Sequence, residues 1–197
     1  STPTSASIAV GGNTQILTVT AKNANGENVG AGGATVTITK LSGTGTIGAV
    51  TDNGDGTYTA TVTSPTLVGS GVFVATLNGS DVKSGTASQT QSTITYAPGP
   101  ANKLVYVQQP TDGSINVALS PSVTVQVQDA FGNSVPGAGV AVDMIMASGT
   151  GSLSCTTTRA TDAGGLATFN DLSFTTTGSK TIQASSTLAL TSGVESF

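Results

Sequence analysis

Apolar side chains in this chain come in short runs and fall on every second position. Leu17, Val19 and Ala21 alternate with Ile16, Thr18 and Thr20, and Val36 and Ile38 alternate with Thr35, Thr37 and Thr39. Tyr58, Ala60 and Val62 form a further face, followed by Phe73 with Ala75 and then Ile94 with Tyr96. The later half repeats the style in Val123, Val125 and Val127, in Val140, Val142 and Met144, and in Phe169, Ile182 and Ala184. Around residue 105 both phases are apolar, so Leu104 with Tyr106 and Val105 with Val107 remain alternative inward pairs. Period-two alternation puts one face on a core and the other in water, which predicts half-buried strands. Gly and Asn punctuate the runs, and no segment carries a 3.6-residue period. Roughly seven short strands per hundred residues predict an all-β chain built as sandwiches of antiparallel sheets.

The pattern occurs twice. Residues 35–48 (TVTITKLSGTGTIG) align without a gap on residues 141–154 (AVDMIMASGTGSLS), an offset of 106. Val36 falls on Val142, and Ser42-Gly43-Thr44-Gly45 falls on Ser148-Gly149-Thr150-Gly151. The same offset carries Asn23-Ala24-Asn25-Gly26 onto Asp129-Ala130-Phe131-Gly132. Thr51-Asp52-Asn53-Gly54 resembles Thr161-Asp162-Ala163-Gly164. Two copies of one unit meet at Ala97-Pro98-Gly99-Pro100-Ala101-Asn102, where the prolines bar a central strand or helix. The expected organisation is one sandwich over 1–98, a short stiff linker over 99–102 and a second sandwich over 103–197.

Composition narrows the chemistry. His is absent, which removes a Ser-His-Asp triad and His-ligated zinc. Six Lys and Arg against ten Asp and Glu argue against a nucleic-acid surface. No apolar run approaches the ~18 residues of a membrane span. The N-terminal residues have neither a basic region nor a long apolar run, so no signal peptide is expected in this segment. A single Cys allows no internal disulfide, so the two cores must supply the stability.

Several motifs resemble bacterial Ig-like domains of the invasin and intimin type. They are Gln128-Asp129-Ala130-Phe131-Gly132-Asn133 leading to Val135, Thr51-Asp52-Asn53-Gly54-Asp55-Gly56-Thr57-Tyr58, and Thr161-Asp162-Ala163-Gly164-Gly165-Leu166-Ala167-Thr168-Phe169. The resemblance spans nearly the whole chain and implies two tandem immunoglobulin-like sandwiches. It also implies a non-catalytic role in a large bacterial surface or secreted protein, as adhesin stalk or as subunit of a fibre or layer. Such repeats usually end in Phe-x-Val. Phe197 taking the place of Ile94 would therefore leave the last strand cut short, as if the segment belonged to a longer array.

The first reading of the acidic motifs is turn chemistry, because Asp, Asn and Gly accept positive φ and cap their own backbone. The second is calcium, with Asp52, Asn53, Asp55, Asp129 and Asn133 as oxygen donors, although their spacing departs from an EF-hand loop. No cofactor is otherwise expected. Asp52, Asp55, Asp129 and Asp162 are expected on exposed turns. Cys155, which falls on Ala49, reads first as a small apolar residue and second as a thiol for an intermolecular bond. An isopeptide crosslink would require Lys103, Asp143 and Glu195 buried together. Asn78-Gly79-Ser80 fits the glycosylation pattern and, more simply, a turn.

Phe131, at a loop tip, and Phe197 are candidate partner contacts. The expected partners are neighbouring Ig-like domains of the same chain, identical subunits, or a host receptor or glycan. Alternative roles are a decoration or tail-fibre component of a phage virion, or a carbohydrate-binding module of a secreted enzyme. The last wants exposed aromatics for stacking on sugar, and only Phe131 is a candidate.

Overall fold

In the computed structural model the chain divides into two compact units, Ser1–Pro98 and Gly99–Phe197. The structure describes residues 5–83, 88–137, 139–188 and 190, and the backbone alone of 193–196. All regular structure among them is β.

The first unit contains β1 (Ala6–Ala9), β2 (Thr14–Thr20), β3 (Val36–Gly43), β4 (Thr46–Ile47), β5 (Thr51–Asp52), β6 (Thr57–Thr63), β7 (Gly69–Leu77), β8 (Ser80–Asp81) and β9 (Gln91–Ala97). One sheet runs β1-β9-β7-β3, with β8 on β7; the other runs β2-β6-β4, with β5 on β6. The alternation seen in the sequence sets the facing. Leu17, Val19, Tyr58, Ala60 and Val62 from one sheet meet Ile38, Phe73, Ile94 and Tyr96 from the other. β1 and β9 pair in parallel, Ala6 opposite Ile94, the one departure from antiparallel pairing among the described strands of this unit. Asn78-Gly79 forms the β7–β8 turn with φ of 48° and 78°, the left-handed pair that a tight hairpin requires.

The second unit contains β10 (Lys103–Gln108), β11 (Val123–Gln128), β12 (Ala141–Ser148), β13 (Leu153–Ser154), β14 (Thr158–Ala160), β15 (Leu166–Phe169), β16 (Ser173–Phe174), β17 (Thr181–Ser186) and β18 (Gly193–Ser196). Its sheets run β10-β11-β15 and β14-β12-β17-β18, with a small β13-β16 ribbon. Of the two phases open at β10, Leu104 and Tyr106 enter the core, while Val107 is exposed. They join Val123, Val125, Val127 and Phe169, opposite Val142, Met144, Ile182 and Ala184.

The Ser-Gly-Thr-Gly loop common to both units is closed in two different ways. In the first unit the Tyr96 hydroxyl donates to the Thr44 carbonyl at 3.2 Å. In the second the equivalent Thr150 carbonyl accepts from Lys180 Nζ at 3.0 Å. Lys180 is only 4% exposed, and among the described residues no acidic side chain pairs with it. It donates also to Thr176 Oγ1 and the Thr177 carbonyl, and it lies 5.6 Å from the centre of the Phe174 ring. Three oxygen acceptors and a ring face replace the water it gives up.

Candidate functional site

The chemistry-bearing side chains gather on turns, and each turn consumes its own oxygens. Asp52 Oδ1 accepts from Gly54 N–H at 2.9 Å, and its Oδ2 accepts from Gly33 N–H at 2.7 Å. Asp55 Oδ1 accepts from Thr57 N–H and Thr57 Oγ1–H at 2.9 and 2.6 Å, and these bonds hold its carboxyl below the ordinary value. Asn53 donates to Thr57 Oγ1. In the second unit Asp162 Oδ1 accepts from Gly164 and Leu166 N–H. Asp52, Asp55 and Asp162 are exposed, as expected. No group of three or more His, Cys, Asp or Glu residues suited to a metal occurs among the described residues.

Asp129 departs from the expectation of an exposed turn: it is 1% exposed. Its Oδ1 accepts from Phe131 and Asn133 N–H, both at 2.9 Å. Its Oδ2 accepts from Asn133 Nδ2 at 2.9 Å and from Gly99 N–H at 2.9 Å. The first three bonds are local and make the turn. The fourth reaches back thirty residues and fastens the segment expected to be a linker. A few residues on, Asn102 N–H donates to the Gln128 carbonyl at 2.8 Å, beside the same turn. Burial alone would raise the Asp129 pKa, but the bonds from the Asn133 side chain and from Gly99, Asn133 and Phe131 N–H outweigh it and hold the carboxyl low. Asn23, the counterpart in the first unit, is exposed. It keeps the local bonds to Asn25 and Glu27 N–H, but its amide nitrogen donates to Glu27 Oε2 where Asp129 accepts.

Phe131 sits at the tip of this turn and is 46% exposed. Phe197 lies outside the described residues. Lys103 and Asp143 are half-buried and alternate with the core residues Leu104, Val142 and Met144, so they face away from the core. Asp143 accepts from Thr158 Oγ1–H instead.

Cys155 is half-buried and packs against the second core. Burial pushes its thiol up, the Asp171 carboxylate pushes it further, and Arg159 opposes them. Asp171 is itself drawn down to about 2, first by the N–H of Thr156, against burial, and further by the Thr156 hydroxyl and Arg159. Arg159 Nη2 lies 2.9 Å from Asp171 Oδ2. Because thiolate is the reactive form, Cys155 should alkylate with iodoacetamide at neutral pH more slowly than free cysteine, and Asp171→Asn should speed it. A rate equal to that of free cysteine, unchanged in the variant, would contradict this picture.

The model of the family described as "Invasin, domain 3" matches residues 1–99, and the chain belongs to that family. No curated protein sequence matches the chain. Among solved structures it is similar to invasin, a bacterial integrin-binding protein, at 17% identity and a TM-score of 0.59, over 95% of this chain and 37% of that one. It is similar to InvD of Yersinia pseudotuberculosis at 23% identity and a TM-score of 0.51, over 96% and 54%. It is also similar to the Escherichia coli adhesin FdeC at 20% identity and a TM-score of 0.51, over 95% and 60%. The chain thus spans less than two thirds of the length of each of these three. No helix among the described residues is long and apolar enough to cross a membrane.

Proposed function

We propose that this chain is a non-catalytic tandem Ig-like segment of an adhesin-type bacterial surface protein. Its task is to space and present neighbouring domains at or outside the cell. The observation that carries this reading is the use made of Asp129. Its well-buried carboxylate has both oxygens taken up by N–H donors and fastens Gly99, at the start of the second unit. Family membership supports the surface role. Phe131 is the contact this reading offers to a partner.

The test is replacement within the parent surface protein. A spacer predicts that an unrelated pair of Ig-like domains in place of residues 1–197 restores adhesion lost on deletion. Failure of the replacement, with rescue by the native segment alone, would make this chain the receptor-binding part.

The turn carboxylates hold N–H groups, and the proposal assigns them no resident ion. Thermal melts with calcium and with chelator should coincide, since a ligand that binds only the folded state raises its stability. A midpoint several degrees higher in calcium would restore the metal reading for Asp52, Asn53 and Asp55.

A further inference from the structure

Asn-Gly occurs three times, always in the first unit: Asn25-Gly26, Asn53-Gly54 and Asn78-Gly79. The dipeptide carries its own reaction. Glycine has no side chain to shield its backbone nitrogen, so that nitrogen can reach the amide carbon of the asparagine before it. How firmly the fold holds the two reacting groups then decides between the sites.

Two of the three are held. Asn78 Oδ1 accepts from Thr35 N–H at 2.9 Å, and Asn78 N–H donates to the Thr35 carbonyl at 2.7 Å, which pins the asparagine at both ends. Asn53 Nδ2 donates to Thr57 Oγ1 at 2.9 Å, and Gly54 N–H donates to Asp52 Oδ1 at 2.9 Å. An anionic acceptor on that N–H opposes loss of its proton, and Asp55 adds a second negative charge to the same turn.

Asn25 is exposed, and no described group bonds to its side-chain amide; only its backbone N–H is engaged, by Asn23 Oδ1 at 3.0 Å. Gly26 N–H donates to a neutral acceptor, the Asn23 carbonyl, at 3.0 Å. Gly26 has φ of 83°, and a Cβ there would meet nothing within 4 Å, so the nitrogen lies in open surroundings. The nearby charges offset each other. Lys22 Nζ donates to the Gly26 carbonyl at 3.2 Å, and Glu27 Oε2 accepts from Asn23 Nδ2 at 2.8 Å. The second unit has Phe131-Gly132 at this place and lacks the reacting amide.

We propose that Asn25 is a site of spontaneous deamidation. Base removes the Gly26 amide proton, and the nitrogen attacks Asn25 Cγ. The N–Cγ bond forms, the Cγ–Nδ2 bond breaks, and Nδ2 takes up a proton and leaves as ammonia. Water then opens the cyclic imide. Cleavage at Cγ gives aspartate, and cleavage at the main-chain carbonyl gives isoaspartate, with one more carbon in the backbone. Nothing is oxidised or reduced. Either product adds a negative charge beside Glu27, in the first unit alone.

The test ages the full chain at neutral pH, folded and in denaturant. Trypsin, cutting after Lys22 and Lys40, separates Asn25 from Asn53 and Asn78, and fragment mass spectra assign the change of amide to acid. In denaturant the three sites should convert at similar rates. In the folded chain Asn25 should convert at least ~10-fold faster than Asn53 or Asn78. Gly26→Ala, whose Cβ meets no neighbour, should slow Asn25 by ~10-fold or more and leave the other two unchanged. Conversion of Asn25 no faster than that of Asn53 or Asn78 in the folded chain, folding that slows all three alike, or an unchanged rate in Gly26→Ala would each overturn the proposal.

Discussion

Asp129→Ala should lower the stability of the second unit by about 3–5 kcal/mol. The carboxylate is buried and accepts four hydrogen bonds, from Phe131, Asn133 and Gly99 N–H and from Asn133 Nδ2. Bonds to a charged group contribute about 1.5–3 kcal/mol each at most, and they share one group, so their losses do not add in full. Asp129→Asn separates the parts. It keeps one oxygen for Phe131 and Asn133, as Asn23 does for Asn25 and Glu27. It then sets an amide N–H₂ against the Gly99 and Asn133 donors, so about 2–3 kcal/mol should still be lost. Asn23→Ala, exposed and without the long-range bond, should cost about 1 kcal/mol or less. Native-state hydrogen exchange of the full chain reads the units separately, through the Val125 and Val19 amides. Equal losses for Asp129→Ala and Asn23→Ala would show that the buried clamp contributes nothing special.

The same clamp gives a pH dependence. The folded pKa of Asp129 lies below its unfolded value, so the folded state favours the ionised form. Its contribution is complete above the ordinary carboxylate range and is lost as pH falls through the lower folded value. Asp129→Asn should therefore flatten the acid side of the stability curve of the second unit. The clamp also bears on dissection. A fragment starting at Lys103 drops the Gly99 and Asn102 donors, whereas one starting at Pro98 keeps them.

Alternation and repetition made most of the fold legible. Strand facing followed from Val19 and Ala21 against Thr18 and Thr20 and from Val142 against Asp143, because one phase was apolar and the other polar there; Ile16, on the polar phase, stays exposed. At β10 both phases were apolar, and packing resolved in favour of Leu104 and the large Tyr106. The parallel β1–β9 pair carried no local signal, since parallel and antiparallel strands share the same period. Nor could the burial of Asp129 be read from its motif. Asp-x-x-Gly-Asn is a turn whether exposed or covered, and what covers it includes a glycine thirty residues earlier. Lys180 was equally silent. Its acceptors are backbone carbonyls and a threonine hydroxyl, and such partners leave no charge pattern in a sequence.

The repeated glycine of the acidic hairpin is where sequence repetition has the sharpest physical cause, and Gly165→Ala should cost about 3 kcal/mol or more. Gly165 has φ of 80°, and a Cβ there would strike the Val135 carbonyl oxygen and come within 2.9 Å of Gln126 Nε2. Gly56 has φ of 82° and faces the Val29 carbonyl in the same way. In each unit three segments cross at this point. Val127 N–H donates to the Gly165 carbonyl at 3.0 Å, and Val135 N–H donates to the Val127 carbonyl at 2.9 Å. Ala21, Gly56 and Val29 repeat the arrangement, both bonds at 2.9 Å. The left-handed backbone alone would cost an alanine about 1–2 kcal/mol. The collision is with main chain held by those bonds, which cannot swing aside as a side-chain end would. Gly132→Ala is the control: φ is 91°, but the nearest atom to its Cβ is Gln128 Oε1 at 4.0 Å, so only the backbone part remains. Denaturant unfolding should therefore rank Gly165→Ala and Gly56→Ala well below Gly132→Ala in stability. If all three lose the same amount, the close approach of the valine carbonyl is not what keeps glycine at this position in both copies.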